Sequence, residues 1–405
     1  MSDLKLSLQQ VDELLSPKAI RASATRLFEL TTGGKTSFNY HPEKLKPTVD
    51  YVLEVIRKNY PDLKIPFHSR WGHFRAGGID RVKTLDAKIA GFDPLERARI
   101  KLDLVVTSVL LDAGAGMKWR FQEDGKAYGR SEGLGIASFH MFLSGIMSSD
   151  RKSLRADREG LAKITAKDLE AAFQVTSANP LVGVDGRVLL LNNLGKALAN
   201  KEIFKDGRPG NIVDYLSAKY GKEIPATALL RAVLDGLGPI WPGRLTANGK
   251  NLGDVWKHSA LKGADEYSEL VPFHKLSQWM TYSLIEPILE AGLSVTGVEG
   301  LTGLAEYRNG GLLIDSGLVS LKNPDDLKKT WKPDSELVIE WRALTVHLLD
   351  KIGAEVQKAL GKTPQEFPLA KVLEGGTWWA GRFLAQDKRE DGGPPLQIQS
   401  DGTVF

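Results

Sequence analysis

Apolar residues recur at helical spacing along most of the chain. Residues 14–30 read as a helix, started by Ser16-Pro17 with proline at the first helical position and ended by Thr31-Thr32-Gly33-Gly34. Residues 42–60 place Leu45, Val49, Val52, Leu53 and Ile56 on one side of a second. Asp93-Pro94 opens a helix to about Asp112 that is apolar nearly all round, the pattern of a central helix, with Gly114 as its expected C-cap. Ser131-Glu132 opens another, residues 134–146, and Thr165 with Asp168 forms a capping box for a helix to Phe173. Residues 210–220, 226–237, 270–293 (kinked at Pro287), 334–360 and 367–385 complete the helical set, with Asp334 or Ser335 as N-cap and Gly361 as closing residue for 334–360. Short strand-like pieces occur in 312–321, strand makes up about a tenth of the chain by pattern, and residues 394–405 form a short extended tail. The expected class is mostly α, a single large helical fold with a few short strands. It is one domain, 1–405, or two lobes, 1–150 and 160–405, divided at the charged stretch 149–159.

Composition narrows the chemistry. Apolar residues make up 42% and charged residues 26%, the balance of a soluble globular protein. A net charge of +4 offers no electrostatic case for nucleic acid. Without cysteine there is no disulfide, thiolate zinc site or cysteine nucleophile. Neither a secretory h-region nor a run of about eighteen apolar residues occurs, so a cytoplasmic protein with no membrane partner is expected.

Three polar clusters interrupt the apolar ground of residues 272–342: His274-Lys275, Glu306-Tyr307-Arg308 and Glu340-Trp341-Arg342. Charged residues are seldom fully buried unless paired, so the clusters are expected to meet one another around a polar pocket. Asn309-Gly310-Gly311 reads as a turn that leaves Glu306 at the pocket wall. The alternative is a buried ion-pair network.

A second candidate region is residues 65–81, IPFHSRWGHFRAGGIDR. Arg70, His73, Arg75 and Arg81 alternate with Trp71 and Phe74, and Gly77-Gly78 frees the backbone for a tight loop. Basic side chains with exposed N–H groups suit a phosphate, and the aromatics a planar ligand; the bland reading is a turn with solvated arginines. Asp112 and Glu132 are further candidate ligand contacts. Gly34-Lys35-Thr36 is not a phosphate loop, because Glu29 stands where the first glycine belongs. No metal pattern appears.

The segments RWGHFRAGGIDR, LLDAGAGMKWRF, GRSEGLG, HKLSQWMTYSLIEP and DGTVF resemble the uracil-catabolism family of fungi and bacteria, long labelled a domain of unknown function. The resemblance runs from Leu15 to Phe405. More distantly, LTGLAEYRNGGLLIDSGLV and ELVIEWRALTVHLLDKI resemble the C-terminal half of queuosine-nucleotide salvage glycosidases. Those have a helical fold similar to helix-hairpin-helix DNA glycosylases and hydrolyse an N-glycosidic bond without a metal. Residues 181–186, LVGVDG, loosely resemble a helix-hairpin-helix turn. The acidic-Tyr-Arg motif falls on Glu306-Tyr307-Arg308, with Glu here for Asp. Glu-x-Arg falls on Glu340 and Arg342, and Lys-x-x-Gln on Lys275 and Gln278. A second Asp of that family falls on Ser283.

These resemblances imply a metal- and cofactor-free N-ribosyl hydrolase of a ureido- or pyrimidine-derived nucleoside or nucleotide. Glu306 is then the catalytic carboxylate, with Lys275 and Arg342 completing the catalytic set. Lys275, Arg308 or Arg342 anchors it or binds phosphate. Arg70, His73 and Arg75 are a second phosphate site. Trp71 or Trp279 covers the base, and Tyr307, Ser283, Glu340, Asp112 and Glu132 are substrate contacts. The rivals are a non-catalytic nucleotide-binding component and an amidohydrolase of a ureido C–N bond.

Overall fold

In the computed structural model, residues 3–112, 114–241 and 244–399 are described. The chain is mostly helical, and its strands among these residues are short two-stranded pairings. It divides into two compact units: Met1–His68, Gly243–Gln278 and Gly297–Phe405 form the first, Ser69–Pro242 and Trp279–Thr296 the second. The stretch 149–159 lies inside the second unit. It is knitted together there: Asp150 accepts the Lys152 and Ser153 amides, and Asp157 those of Ser149 and Gly160.

The first unit is built on the helices Pro17–Thr32 and Glu336–Leu360. Ser16 caps the former through the Ala19 amide, with Pro17 at its first position. Ile20, Ala24 and Leu27 pack with Ile339, Ala343 and Val346, a 3–4 spacing on both helices, and Trp256, Val271, Phe273 and Ala305 extend this core. An additional helix, Leu8–Leu14, precedes them behind the capping box of Ser7 and Gln10, so residues 14–30 do not mark the first helix.

Two expectations in this unit are corrected. Leu270–Pro272 is a strand, paired antiparallel with Val255–Lys257, and the helix begins only at Lys275. Tyr307–Asp315 is a helix, not a turn followed by strand. Its glycines serve packing: a Cβ on Gly310 would lie 2.7 Å from the Trp341 indole, whose N–H donates to the Gly310 carbonyl. Gly311 faces Pro395 in the same way at 3.2 Å. The last helical segment runs as expected, from Leu369–Val372 through a π-helical turn Leu373–Thr377 into Trp378–Lys388.

The second unit is centred on the helix Pro94–Leu110, capped by Asp93 and buried from Ala98 onward on nearly every side. The buried charges on it are matched. Lys101 pairs with Asp86 and Glu290, and Asp103 accepts N–H bonds from Arg208, Gly210 and Ala156. The helix closes at Leu111, three residues before the expected Gly114. The 65–81 stretch is also more regular than a loop: Trp71–Phe74 is a helical turn and Ala76–Gly78 a 3-10 turn, with Gly77 and Gly78 at φ 73° and 80°. Among the described residues no helix is long and apolar enough to cross a membrane.

Candidate functional site

Glu306 is the N-cap of the helix Tyr307–Asp315. Its backbone is extended (φ −129°, ψ 168°), and its carboxylate accepts the N–H groups of Arg308 and Asn309, both at 2.7 Å. The first amides of a helix have no intrahelical acceptor, so a buried N-terminus needs such a cap. Arg308 donates to the Gly392 carbonyl at 2.8 Å and lies over the ring of Tyr307, the first residue of the helix.

Arg342 comes from the helix Glu336–Leu360. It is enclosed and makes a two-bond fork with Asp254: Nη1 to Oδ1 at 2.8 Å and Nη2 to Oδ2 at 2.7 Å. Its Nε donates to the Ala305 carbonyl at 3.2 Å, and its guanidinium lies 4.1 Å from the Phe273 ring centroid. Asp254 also accepts the Trp256 indole N–H at 2.6 Å and the Lys275 amide at 3.0 Å. Burial pushes the Asp254 carboxyl up, but the guanidinium and these hydrogen bonds outweigh it and hold its pKa below the ordinary aspartate value.

The ends of two helices, Lys275–Glu290 and Tyr307–Asp315, are therefore tied to one Arg–Asp pair. His274, before the first of them, has φ 48°, and its Nε2 donates to the Leu14 carbonyl at 2.9 Å. Burial lowers its pKa and keeps the imidazole neutral.

Glu340 does not join Arg342. Residues two apart point to opposite sides of a helix. Glu340 accepts the Ser37 amide at 2.8 Å and lies 3.2 Å from His258 Nε2.

Among the described residues, the enclosed carboxamides of Gln278 and Asn309, at both atoms, and the enclosed Thr377 hydroxyl make no hydrogen bond. Leaving a buried donor or acceptor unmade costs about 1–3 kcal/mol.

The remaining candidates lie in the second unit. Arg70 is enclosed. Its Nε donates to Ser108 Oγ at 2.7 Å and its Nη1 to Asp112 at 2.5 Å, with longer bonds to the Ser131 and Ser108 carbonyls. A phosphate there would have to displace Asp112. Ser283 accepts the Arg70 amide at 2.9 Å, and its carbonyl accepts the Trp71 indole N–H at 2.8 Å. The His73 ring meets Trp279 edge-on, 5.7 Å between centroids. Arg75 pairs with Glu286 at 3.1 Å, and Glu132 stands in the first turn of the helix Arg130–Leu143. Ser283 thus fastens the Arg70 backbone and the Trp71 indole.

Sequence reasoning passed over Asp254, which lies in a glycine-rich loop, and Thr377. A lone carboxylate in the run LGDVW, where the neighbours are apolar, was the signal available for the former. Among the described residues, no three His, Asp or Glu side chains are grouped to hold a metal ion.

A family profile described as "Protein of unknown function (DUF1688)" matches residues 13–405. The chain belongs to the DUF1688 family. Protein urg3 of Schizosaccharomyces pombe is 39% identical over 411 residues, covering 99% of this chain and 100% of its own. Uracil catabolism protein 4 of Lachancea kluyveri is 37% identical over 431 residues, covering 96% of this chain and 98% of its own. The resemblance seen in RWGHFRAGGIDR and its companion segments is a true membership. Of those segments, DGTVF lies outside the described residues. The match of this DUF1688 chain takes in both units and both residue clusters.

Proposed function

We propose that this chain takes part in uracil breakdown, the process named for its Lachancea kluyveri relative, and that it works there as an N-ribosyl hydrolase. The substrate is a ureido- or pyrimidine-derived ribonucleoside or nucleotide. One observation carries the reading: Glu306 is a carboxylate held in place by two amides, one residue from the carbonyl that Arg342 binds. Breaking a C1′–N bond builds positive charge on the sugar, and a fixed carboxylate beside that charge lowers the barrier. Water adds its oxygen to C1′ while the C1′–N pair of electrons leaves with the nitrogen. Glu306 takes the proton released by the water and passes it to the leaving nitrogen. Arg342 and Asp254 keep the helix ends in register, and Lys275 is the flanking cation. Incubation with ribosylurea, its 5′-phosphate, uridine and UMP tests this. Release of urea or uracil together with the free sugar is expected from one of the four, and no release from any of them sinks it.

A second reading has one observation in its favour. Both Glu306 oxygens already serve as a helix cap, a structural duty that a nucleotide-binding component without turnover would also need. Binding without product in the same incubation selects it.

A further inference from the structure

The unpartnered groups of the first unit share a position. Gln278 is the fourth residue of the helix Lys275–Glu290, Asn309 the third of Tyr307–Asp315, and Thr377 directly precedes Trp378–Lys388. The first two helix ends meet at the Arg342–Asp254 pair, through the Lys275 amide and the Ala305 carbonyl. The third runs beside the second. Gly381 packs on the Arg308 carbonyl, and further along both chains Arg389 binds Asp315 at 2.8 Å, so the helices are parallel and Thr377 lies toward the Glu306 end.

Gln278, Asn309 and Thr377 are each 0% exposed. Five buried polar atoms without partners among the described residues, at the starts of three helices of this unit, are not explained by packing, since leucine or valine would fill the same space at lower free energy. A carboxamide offers a donor and an acceptor side by side, and so matches a group that carries C=O and N–H side by side. A phosphate or carboxylate could accept from the carboxamide N–H groups but would offer no donor to either carboxamide oxygen. Helix N-termini favour ligand carbonyl oxygens as well.

We propose that Gln278 and Asn309 recognise the group that leaves the ribose, and that this group is a planar, uncharged ureido or imide unit, with the Thr377 hydroxyl as a third contact. The proposal rests on the hydrolase reading for the word "leaves", but binding alone tests it. Calorimetry with the full chain would use uridine, UMP and ribosylurea, and would compare each ligand that binds with its N-methylated analogue. N-methylation should weaken binding to the wild-type protein by about tenfold or more, as for any site whose buried polar groups lose their match. Asn309→Leu and Gln278→Leu should weaken it as much, while the melting temperature of the free protein stays level or rises. The proposal fails if none of the three ligands binds, if the methylated analogues or the variants bind equally well, or if the variants melt lower and so show that the amides are structural. Binding that is lost in the variants, without wild-type turnover, removes the hydrolase reading and leaves this one. Turnover untouched by the variants does the reverse.

Discussion

Arg342 and Asp254 face each other fork to fork, at 2.8 and 2.7 Å, and each also holds a neighbour: the Ala305 carbonyl on one side, the Lys275 amide on the other. A planar guanidinium matched to a carboxylate fixes orientation as well as distance. The pair thereby sets the spacing between two helix ends that carry Lys275 and Glu306.

Breaking this pair should be costly. Asp254→Ala leaves an enclosed guanidinium without its counter-ion, and a loss of about 3–5 kcal/mol in urea unfolding is expected. The acid limb should change too. The Asp254 pKa is lowered in the folded protein, so its contribution is present above the unfolded aspartate value of about 3.9 and is lost as pH falls through the folded one. Asp254→Asn should therefore flatten the decline of stability below about pH 4. An unchanged acid slope would contradict this.

Glu306→Gln keeps the shape and one amide acceptor. Turnover should fall by about 10² to 10⁴ while ligand binding persists. The lost half of the cap should lower stability by about 0.5–2 kcal/mol. Steady-state kinetics together with urea denaturation separates the two effects. Near wild-type turnover would pass the catalytic role to Asp112 or Glu132.

Gly310→Ala should destabilise by about 1–3 kcal/mol, because the added methyl meets the Trp341 ring at 2.7 Å. Helix propensity alone favours alanine over glycine by about 1 kcal/mol, so a gain in stability would show that the indole moves aside.

Activity should survive EDTA. The chain has no cysteine and its seven histidines are scattered. Complete loss on chelation, restored by one divalent ion, would overturn the expectation of metal-free chemistry.

Local signals in the sequence were enough for most helices. Ser16-Pro17, Asp93-Pro94 and the Thr165–Asp168 box start helices in the folded protein, and Gly361 ends one, because caps and proline act within a turn of the chain. The mostly helical class followed from apolar spacing for the same reason. The paired charges were legible only as a demand: Arg342 and Glu306 on apolar ground had to find partners. Who answers was decided in three dimensions. Asp254 is 88 residues from Arg342 in sequence, and the pairing depends on a strand at Leu270–Pro272 that local pattern reads as helix. Asn309-Gly310-Gly311 carries the spelling of a turn, yet it is helical behind the Glu306 cap, and its Gly310 leaves the space that the Trp341 ring fills. The division into units was likewise beyond local reading. The chain passes from the first unit to the second between Gln278 and Trp279, inside a continuous helix with no linker composition to mark it. Periodicity and capping are properties of neighbours in the chain, whereas burial, partner choice and unit membership are properties of neighbours in space.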